Sequence, residues 1–77
     1  MSRREKLIAR IRARPPACEF TDVQRLLEDF GWKLARQRGS HAMFVRPNAR
    51  TFTVPVHGGK VKRTYVNQIC ELLELDE

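Results

Sequence analysis

The spacing of apolar residues changes from a helical period to a strand period at Gly31. Before this glycine, apolar residues recur at i, i+3, i+4 and i+7, which is typical of one buried helix face: Val23, Leu26, Leu27 and Phe30. Thr21 with Gln24 predicts the cap of this helix, and Gly31 predicts its left-handed end. From residue 32 to residue 37 the side chains alternate, which predicts a strand with one face formed by Trp32, Leu34 and Arg36.

The remaining elements extend this α+β pattern. Further strands are predicted at residues 42–46 and 51–54, joined by turn chemistry at Pro47-Asn48. A first helix follows the Ser2 capping box and ends before Pro15-Pro16, and a last helix carries an apolar stripe of Val66, Ile69, Cys70 and Leu73. We therefore expect a three-stranded antiparallel sheet with helices on one face and the other face open.

The length of the chain, 77 residues, leaves room for one domain with a thin core. We expect a single domain over residues 1–77, with an N-terminal basic helical extension over 1–19 and a core over 20–77, joined by a hinge at Arg14-Pro15-Pro16-Ala17. No apolar stretch approaches the length of a membrane span, and no signal peptide is visible, so the expected location is the cytoplasm.

The charge distribution favours a polyanionic partner. Fifteen Lys and Arg against nine Asp and Glu give a formal net charge of +6, and the segment from Lys33 to Arg63 contains no acidic residue. Nucleic acid is the leading partner, although a basic surface can also serve solubility alone. The cations of the first helix and the residues just after it are explained equally well by RNA contact or by a solvated face: Arg3, Arg4, Lys6, Arg10, Arg12 and Arg14.

An ordered set of motifs resembles the HicA family of toxins. The set comprises Leu26-Leu27, Gly31-Trp32, the run from Arg36 to His41, Phe44, Thr53-Val54-Pro55 and the run from His57 to Lys60. The resemblance covers about residues 21–75 and implies a fold like that of double-stranded-RNA-binding domains. It also implies a messenger-RNA interferase that a cognate HicB-like antitoxin inhibits. Residues 1–19 precede the usual family start.

The resemblance implies that His41 is the catalytic residue. Independently, an imidazole titrates near neutrality and can exchange a proton with a ribose 2′-hydroxyl or a leaving oxygen. Without the resemblance, a surface or capping histidine would be the better explanation of His41. We expect the following residues to contact RNA around it: Arg36, Arg38, Gly39, Ser40, Arg46, His57 and Lys60.

His57 and Ser40 leave alternatives open. His57 follows the third strand and is a candidate for a second acid or base, but a turn residue without a catalytic role explains it slightly better. Ser40 is interpreted as a turn residue and not as a nucleophile.

No cofactor or metal is expected. Cys18 and Cys70 lack a Cys-x-x-Cys spacing, so we expect reduced, structural thiols, and a site built from Cys18, Cys70, His41 and His57 carries little weight. The three aromatic residues Trp32, Phe44 and Phe52 are interpreted as core residues unless they face the open side of the sheet. The competing functions are a non-catalytic RNA-binding module with the same fold, and a protein whose charge serves only an acidic protein partner.

Overall fold

The structure is a computed structural model and describes residues 2–75. Three helices and five strands follow one another along this part of the chain: α1 (Arg3–Arg12), β1 (Ala17–Glu19), α2 (Phe20–Asp29), β2 (Lys33–Arg38), β3 (His41–Val45), β4 (Phe52–Pro55), β5 (Lys60–Lys62) and α3 (Arg63–Leu72). The α+β fold with a three-stranded antiparallel sheet is confirmed, and it is the fold expected of a domain that resembles the double-stranded-RNA-binding type.

The ends of α1 and α2 follow from local hydrogen bonds. The Ser2 Oγ accepts the Glu5 N–H at 3.1 Å, which confirms Ser2 as the cap of α1, and the Ser2 hydroxyl donates to the Glu5 carboxylate at 3.2 Å. At the end of α2, Trp32 N–H donates to Leu27 O at 2.9 Å and Gly31 N–H donates to Glu28 O at 3.1 Å. These two bonds form a Schellman motif, and the φ of +90° at Gly31 supplies its left-handed residue.

The predicted cap of α2 at Thr21 is wrong. The helix begins at Phe20, and its N-cap is Glu19, whose side chain makes no capping bond. The reason is that β1 runs directly into α2, so the Phe20 N–H donates to the carbonyl oxygen of Gly59 at 2.8 Å. A backbone carbonyl from a distant loop thus satisfies an N–H at the helix start that a side chain would otherwise have to satisfy.

The three-stranded sheet has the order β2-β3-β4, so β3 is the central strand. Paired residues of antiparallel strands point to the same face. Ala42 pairs with Val54, and Phe44 pairs with Leu34 and Phe52, which defines the face that packs against the helices. Ala42, Phe44 and Val54 are 0% exposed on that face. The bounds of the second and third strands are each shifted by one residue from those predicted, so His41 lies within β3.

A β-bulge in β2 corrects the predicted direction of Arg36. Strict alternation puts Arg36 on the face of Trp32 and Leu34, but the register shifts between Leu34 and Arg36 and leaves Ala35 without a partner. After the shift, Arg36 pairs with Met43 instead of a core residue. The bulge therefore turns Arg36 to the open face of the sheet, where Arg38 also lies.

A second, two-stranded sheet of β1 and β5 is absent from the prediction. Cys18 pairs with Val61, and both residues are buried. The segment between α1 and β1 was predicted to be a hinge, but it is hydrogen-bonded to α3: Arg63 N–H donates to Pro16 O at 3.2 Å, and the Arg14 Nε donates to Asn67 Oδ1 at 2.7 Å. Strands of three residues give too short an alternation for their pattern to be recognised.

One core joins the helices to both sheets. Its buried residues come from α1 (Leu7 and Ile11), from the stripes of α2 and α3, and from β1, β3, β4 and β5, while Phe30 at the end of α2 and Leu34 of β2 are half-buried against it. Trp32 and Phe44 are buried in this core, and Phe52 is half-buried against it, with the Trp32 and Phe52 ring centroids 6.3 Å apart. These three aromatic rings are therefore core residues, and none of them is available on the open face.

Candidate nucleic-acid interface

His41 is the first residue of the central strand β3 and is exposed to solvent. It pairs with Arg38 of β2 on one side and with Pro55 of β4 on the other. Because Ala42 and Phe44 point into the core, the alternation of β3 directs His41 to the opposite, open face. The imidazole thus stands on a rigid, doubly paired strand and remains accessible to a ligand.

The Gly39-Ser40 turn sets the position of His41. It is a two-residue hairpin loop between the paired residues Arg38 and His41. Gly39 has a φ of +58°, while Ser40 has no positive φ, as in a type II′ turn. The carbonyl oxygen of Ser40 accepts the Val56 N–H at 2.6 Å, which ties the turn to the end of β4. Ser40 is half-buried, and the hydrogen bond to Val56 is made by its backbone and not by its hydroxyl group.

Two arginines share the open face with His41. Arg38 is its cross-strand partner, and Arg36 lies two residues farther along β2, opposite Met43. Both arginines are exposed, and no carboxylate among residues 2–75 forms a salt bridge with either of them. A guanidinium group offers paired donors to phosphate oxygens, so this arrangement can hold a phosphodiester beside an imidazole.

Met43 and Thr53 are not among the predicted site residues, yet they also lie on the open face. They pair with each other across β3 and β4, and Met43 pairs with Arg36 across β2 and β3. Met43 is half-buried, and Thr53 is exposed. The position of Met43 follows from strand alternation, because Met43 is two residues from His41 and so occupies the same face of the strand.

Arg46 was expected beside His41, and the structure separates the two. Arg46 follows the last residue of β3, whereas His41 is the first, so a rise of about 3.3 Å per residue puts them roughly 16 Å apart. The Arg46 Nε lies close to Gly31, 3.6 Å from the position that a β-carbon would take there. Arg46 therefore lies beside the end of α2 and away from the cluster around His41.

His57 and Lys60 close a separate turn next to the sheet. They form an isolated bridge, in which each N–H donates to the other's carbonyl oxygen at 3.0 Å. Gly58 and Gly59 between them both have positive φ, at 58° and 75°, as a type I′ turn requires. His57 is exposed and lies two residues beyond Pro55, the partner of His41. The Lys60 ammonium forms an exposed salt bridge with Glu19.

The two cysteines are free and buried, so both thiols are core residues. Burial raises the pKa of the Cys18 thiol, and the negative charge of Asp22 and the neighbouring Cys70 raise it further, while Arg10 opposes them. Within residues 2–75, no three His, Cys, Asp or Glu side chains are grouped so that they could hold a metal ion.

The helices of the described chain are too short and too polar for any of them to cross a membrane. No curated protein and no solved structure matched the chain at a significant level. A protein-family model described as "HicA toxin of bacterial toxin-antitoxin" matches residues 20–75, which is more than half of the chain. The match begins at the first residue of α2 and includes both arginines, the Gly39-Ser40 turn and His41. The chain therefore belongs to the HicA family of toxins from bacterial toxin-antitoxin systems.

Proposed function

We propose that this toxin is an endoribonuclease that cleaves messenger RNA, with His41 as its catalytic residue. The observation that carries the proposal is the position of His41 on the open face, directly opposite Arg38 and near Arg36. An exposed imidazole beside unpaired guanidinium groups combines a proton carrier with a phosphate-binding site. Cleavage of RNA by its own 2′-hydroxyl needs proton transfer and also stabilisation of the charge on the phosphate.

The proposed reaction uses the nucleophile that RNA itself supplies. The ribose 2′-oxygen attacks the adjacent phosphorus, the bond from phosphorus to the 5′-oxygen breaks, and the products are a 2′,3′-cyclic phosphate and a 5′-hydroxyl. His41 takes the proton from the 2′-hydroxyl or gives one to the leaving 5′-oxygen, and solvent or a second group exchanges the other proton. Arg36 and Arg38 stabilise the negative charge that develops on the phosphate.

We propose that the reaction needs no metal ion. The open face that carries His41 also includes Lys33, Arg36, Arg38, Met43, Val45 and Thr53, and none of these six side chains is a carboxylate. Hard divalent cations prefer carboxylate oxygens, and the arginines themselves supply positive charge where such a cation would act. Messenger RNA is the proposed substrate. Because messenger RNA is translated in the cytoplasm, we propose that the protein acts there.

The proposed protein partner is a HicB-like antitoxin that covers the open face. This face is mixed in character, because Val45 is 37% exposed at the far end of β3 from His41. A partner with carboxylates opposite the arginines and apolar groups opposite Val45 and Met43 would complement it. Bound there, the antitoxin would exclude RNA from His41.

The test is incubation of RNA with the purified protein in the presence of a chelator. Wild type should cleave, and His41→Ala should lose about 10²–10⁴-fold in rate while retaining its circular dichroism spectrum and its RNA affinity. Gln68→Ala, at an exposed position of α3, is the control for removal of an exposed polar side chain and should leave the rate unchanged. Equal cleavage by wild type and His41→Ala would refute the assignment, and RNA binding without cleavage by wild type would indicate a non-catalytic module.

A further inference from the structure

A groove between α1 and α2 carries charge that the proposed reaction does not use. Its volume is about 250 Å³, and its lining is mostly cationic: Arg3, Lys6, Leu7, Arg10, Asp22 and Arg25. A second depression of about 310 Å³ is lined by Arg3, Arg4, Arg25 and Asp29. Because Arg3 and Arg25 belong to both, the two depressions form one continuous surface, which we call the α1–α2 groove.

Three cations of the α1–α2 groove are not neutralised. Arg10 pairs with Asp22 at 2.8 Å, and the guanidinium group of Arg4 lies 4.7 Å from the centre of the Phe30 ring. Among residues 2–75, in contrast, no carboxylate forms a salt bridge with Arg3, Lys6 or Arg25. Holding these like charges together is unfavourable unless an anion binds between them.

The lining of the groove favours a phosphate backbone over a protein segment. Leu7 is the one apolar residue among those that line the two depressions, and it is only 4% exposed, so a peptide would find no exposed apolar side chain to serve as an anchor. Protein interfaces depend on such a buried apolar centre. Binding of single-stranded RNA depends instead on a groove whose cations follow the backbone, and arginines bind phosphate oxygens through paired donors.

We propose that the α1–α2 groove binds the phosphate backbone of RNA at a second site, separate from the face that carries His41. The helices pack on the other side of the sheet from His41, so one RNA molecule reaches both surfaces only by passing around the domain. α1 lies outside residues 20–75, the segment that matches the HicA family. The proposal rests on the proposed function in one respect, namely that RNA is the polyanion this protein meets.

The test compares two double variants that each remove two positive charges. Arg3→Ala/Arg25→Ala removes the cations common to both parts of the groove, and Arg50→Ala/Lys62→Ala removes two exposed cations elsewhere. Both are made in the His41→Ala background, so that RNA stays intact and binding does not depend on whether the protein cleaves. Fluorescence anisotropy with a labelled single strand of about 16 nucleotides measures the affinity over a range of salt concentrations.

The groove variant should bind RNA several-fold more weakly than the control variant. Its slope of log affinity against log salt concentration should fall by about 1.4, because each phosphate contact on a single strand contributes about 0.7. Equal affinities and equal slopes for the two variants would overturn the proposal. If the groove variant kept its RNA affinity but lost binding of a polyglutamate peptide, an acidic protein segment would be the ligand instead, which also overturns it.

Two further measurements separate this proposal from the alternatives. Arg3→Gln/Arg25→Gln removes the charge but keeps the three-carbon stem of each side chain, so weaker binding by this variant as well excludes an effect of lost packing by the stems. Thermal unfolding without RNA should show the groove variant at least as stable as the control. If the wild type fails to cleave RNA but the groove variant still binds RNA more weakly than the control variant, the proposed catalysis is refuted and the proposed groove site is supported.

Discussion

Arg38 and His41 face each other across the two-residue turn that joins β2 to β3. Directly opposed residues of antiparallel strands have β-carbons about 4.5–5.5 Å apart, so both side chains can contact one phosphate group. The turn and the strand pairing together fix the relative position of the two side chains.

Arg38→Ala should lower the rate of RNA cleavage by about 10- to 100-fold, because a hydrogen bond to a charged group contributes about 1.5–3 kcal/mol. Arg46→Ala is the matched control, since it removes the same charge at the opposite end of β3 and should leave the rate nearly unchanged. Initial rates with one RNA substrate at fixed salt concentration provide the measurement. A similar loss in both variants would show that only total charge matters.

An RNA oligonucleotide with one 2′-deoxy nucleotide at the cut site should remain uncut there. The substitution keeps the charge and the bases but removes the oxygen that attacks the phosphorus. DNA of the same sequence should bind without being cleaved. The products are separated by gel electrophoresis with a chelator present, and cleavage at the modified position at an undiminished rate would point to an activated water molecule.

Gly39→Ala should destabilise the protein by about 1–2 kcal/mol, which is the cost of a left-handed conformation for a residue with a β-carbon. No atom lies within 4 Å of the position that the β-carbon would take, so the cost is conformational and not steric. Gly39→Asn should cost less, because asparagine tolerates this conformation. Urea unfolding measures both variants, and an equal loss in the two would contradict this explanation.

Much of the fold follows from periodicity in the sequence. The stripes of α2 and α3 are long enough to specify their buried faces, and Gly31 adopts the left-handed conformation expected at the end of α2. The direction of His41 follows from the same principle, because it is two residues from Met43 and three from the buried Phe44. Once β3 is known to begin at His41 and not at Ala42, alternation accounts for the face that carries the candidate site.

Other features depend on pairing between distant residues and could not be predicted. Nothing in the residues around Ala35 indicates a bulge, and the bulge reverses the face on which Arg36 lies. The start of α2 depends on the carbonyl oxygen of Gly59, far away along the chain, so the local capping pattern at Thr21 was misleading. The α1–α2 groove likewise exists only once the two helices pack together.

The Cys18 thiol should remain protonated in the folded protein at pH values where it ionises in the unfolded chain, because burial raises its pKa. Its contribution to stability is complete below about pH 8.5 and decreases as pH rises toward the folded-state pKa. The difference in unfolding free energy between wild type and Cys18→Ala should therefore shrink from pH 8 to pH 10. Urea unfolding at several pH values measures it, and a constant difference would contradict the raised pKa.

Glu74→Gly should stabilise the protein by about 0.5–1 kcal/mol, because Glu74 holds the left-handed position after α3 with a φ of +55°. Glu71→Gly makes the same change of residue within α3 and should be destabilising, since glycine is unfavourable in a helix. Thermal unfolding of the two variants should show shifts of opposite sign. Shifts of the same sign would mean that loss of the carboxylate, and not backbone conformation, determines the effect.

The pairing of β1 with β5 joins residues 17–19 to residues 60–62, across both hairpins of the larger sheet. Closing so long a loop costs conformational entropy, and contacts between residues that are far apart in sequence form slowly for this reason. During synthesis, β1 can complete its pairing with β5 only after residue 62 has left the ribosome. A nascent chain shorter than this can contain β2, β3 and β4 but lacks the β1–β5 pairing and α3, so the core cannot close until the residues beyond 62 have been added.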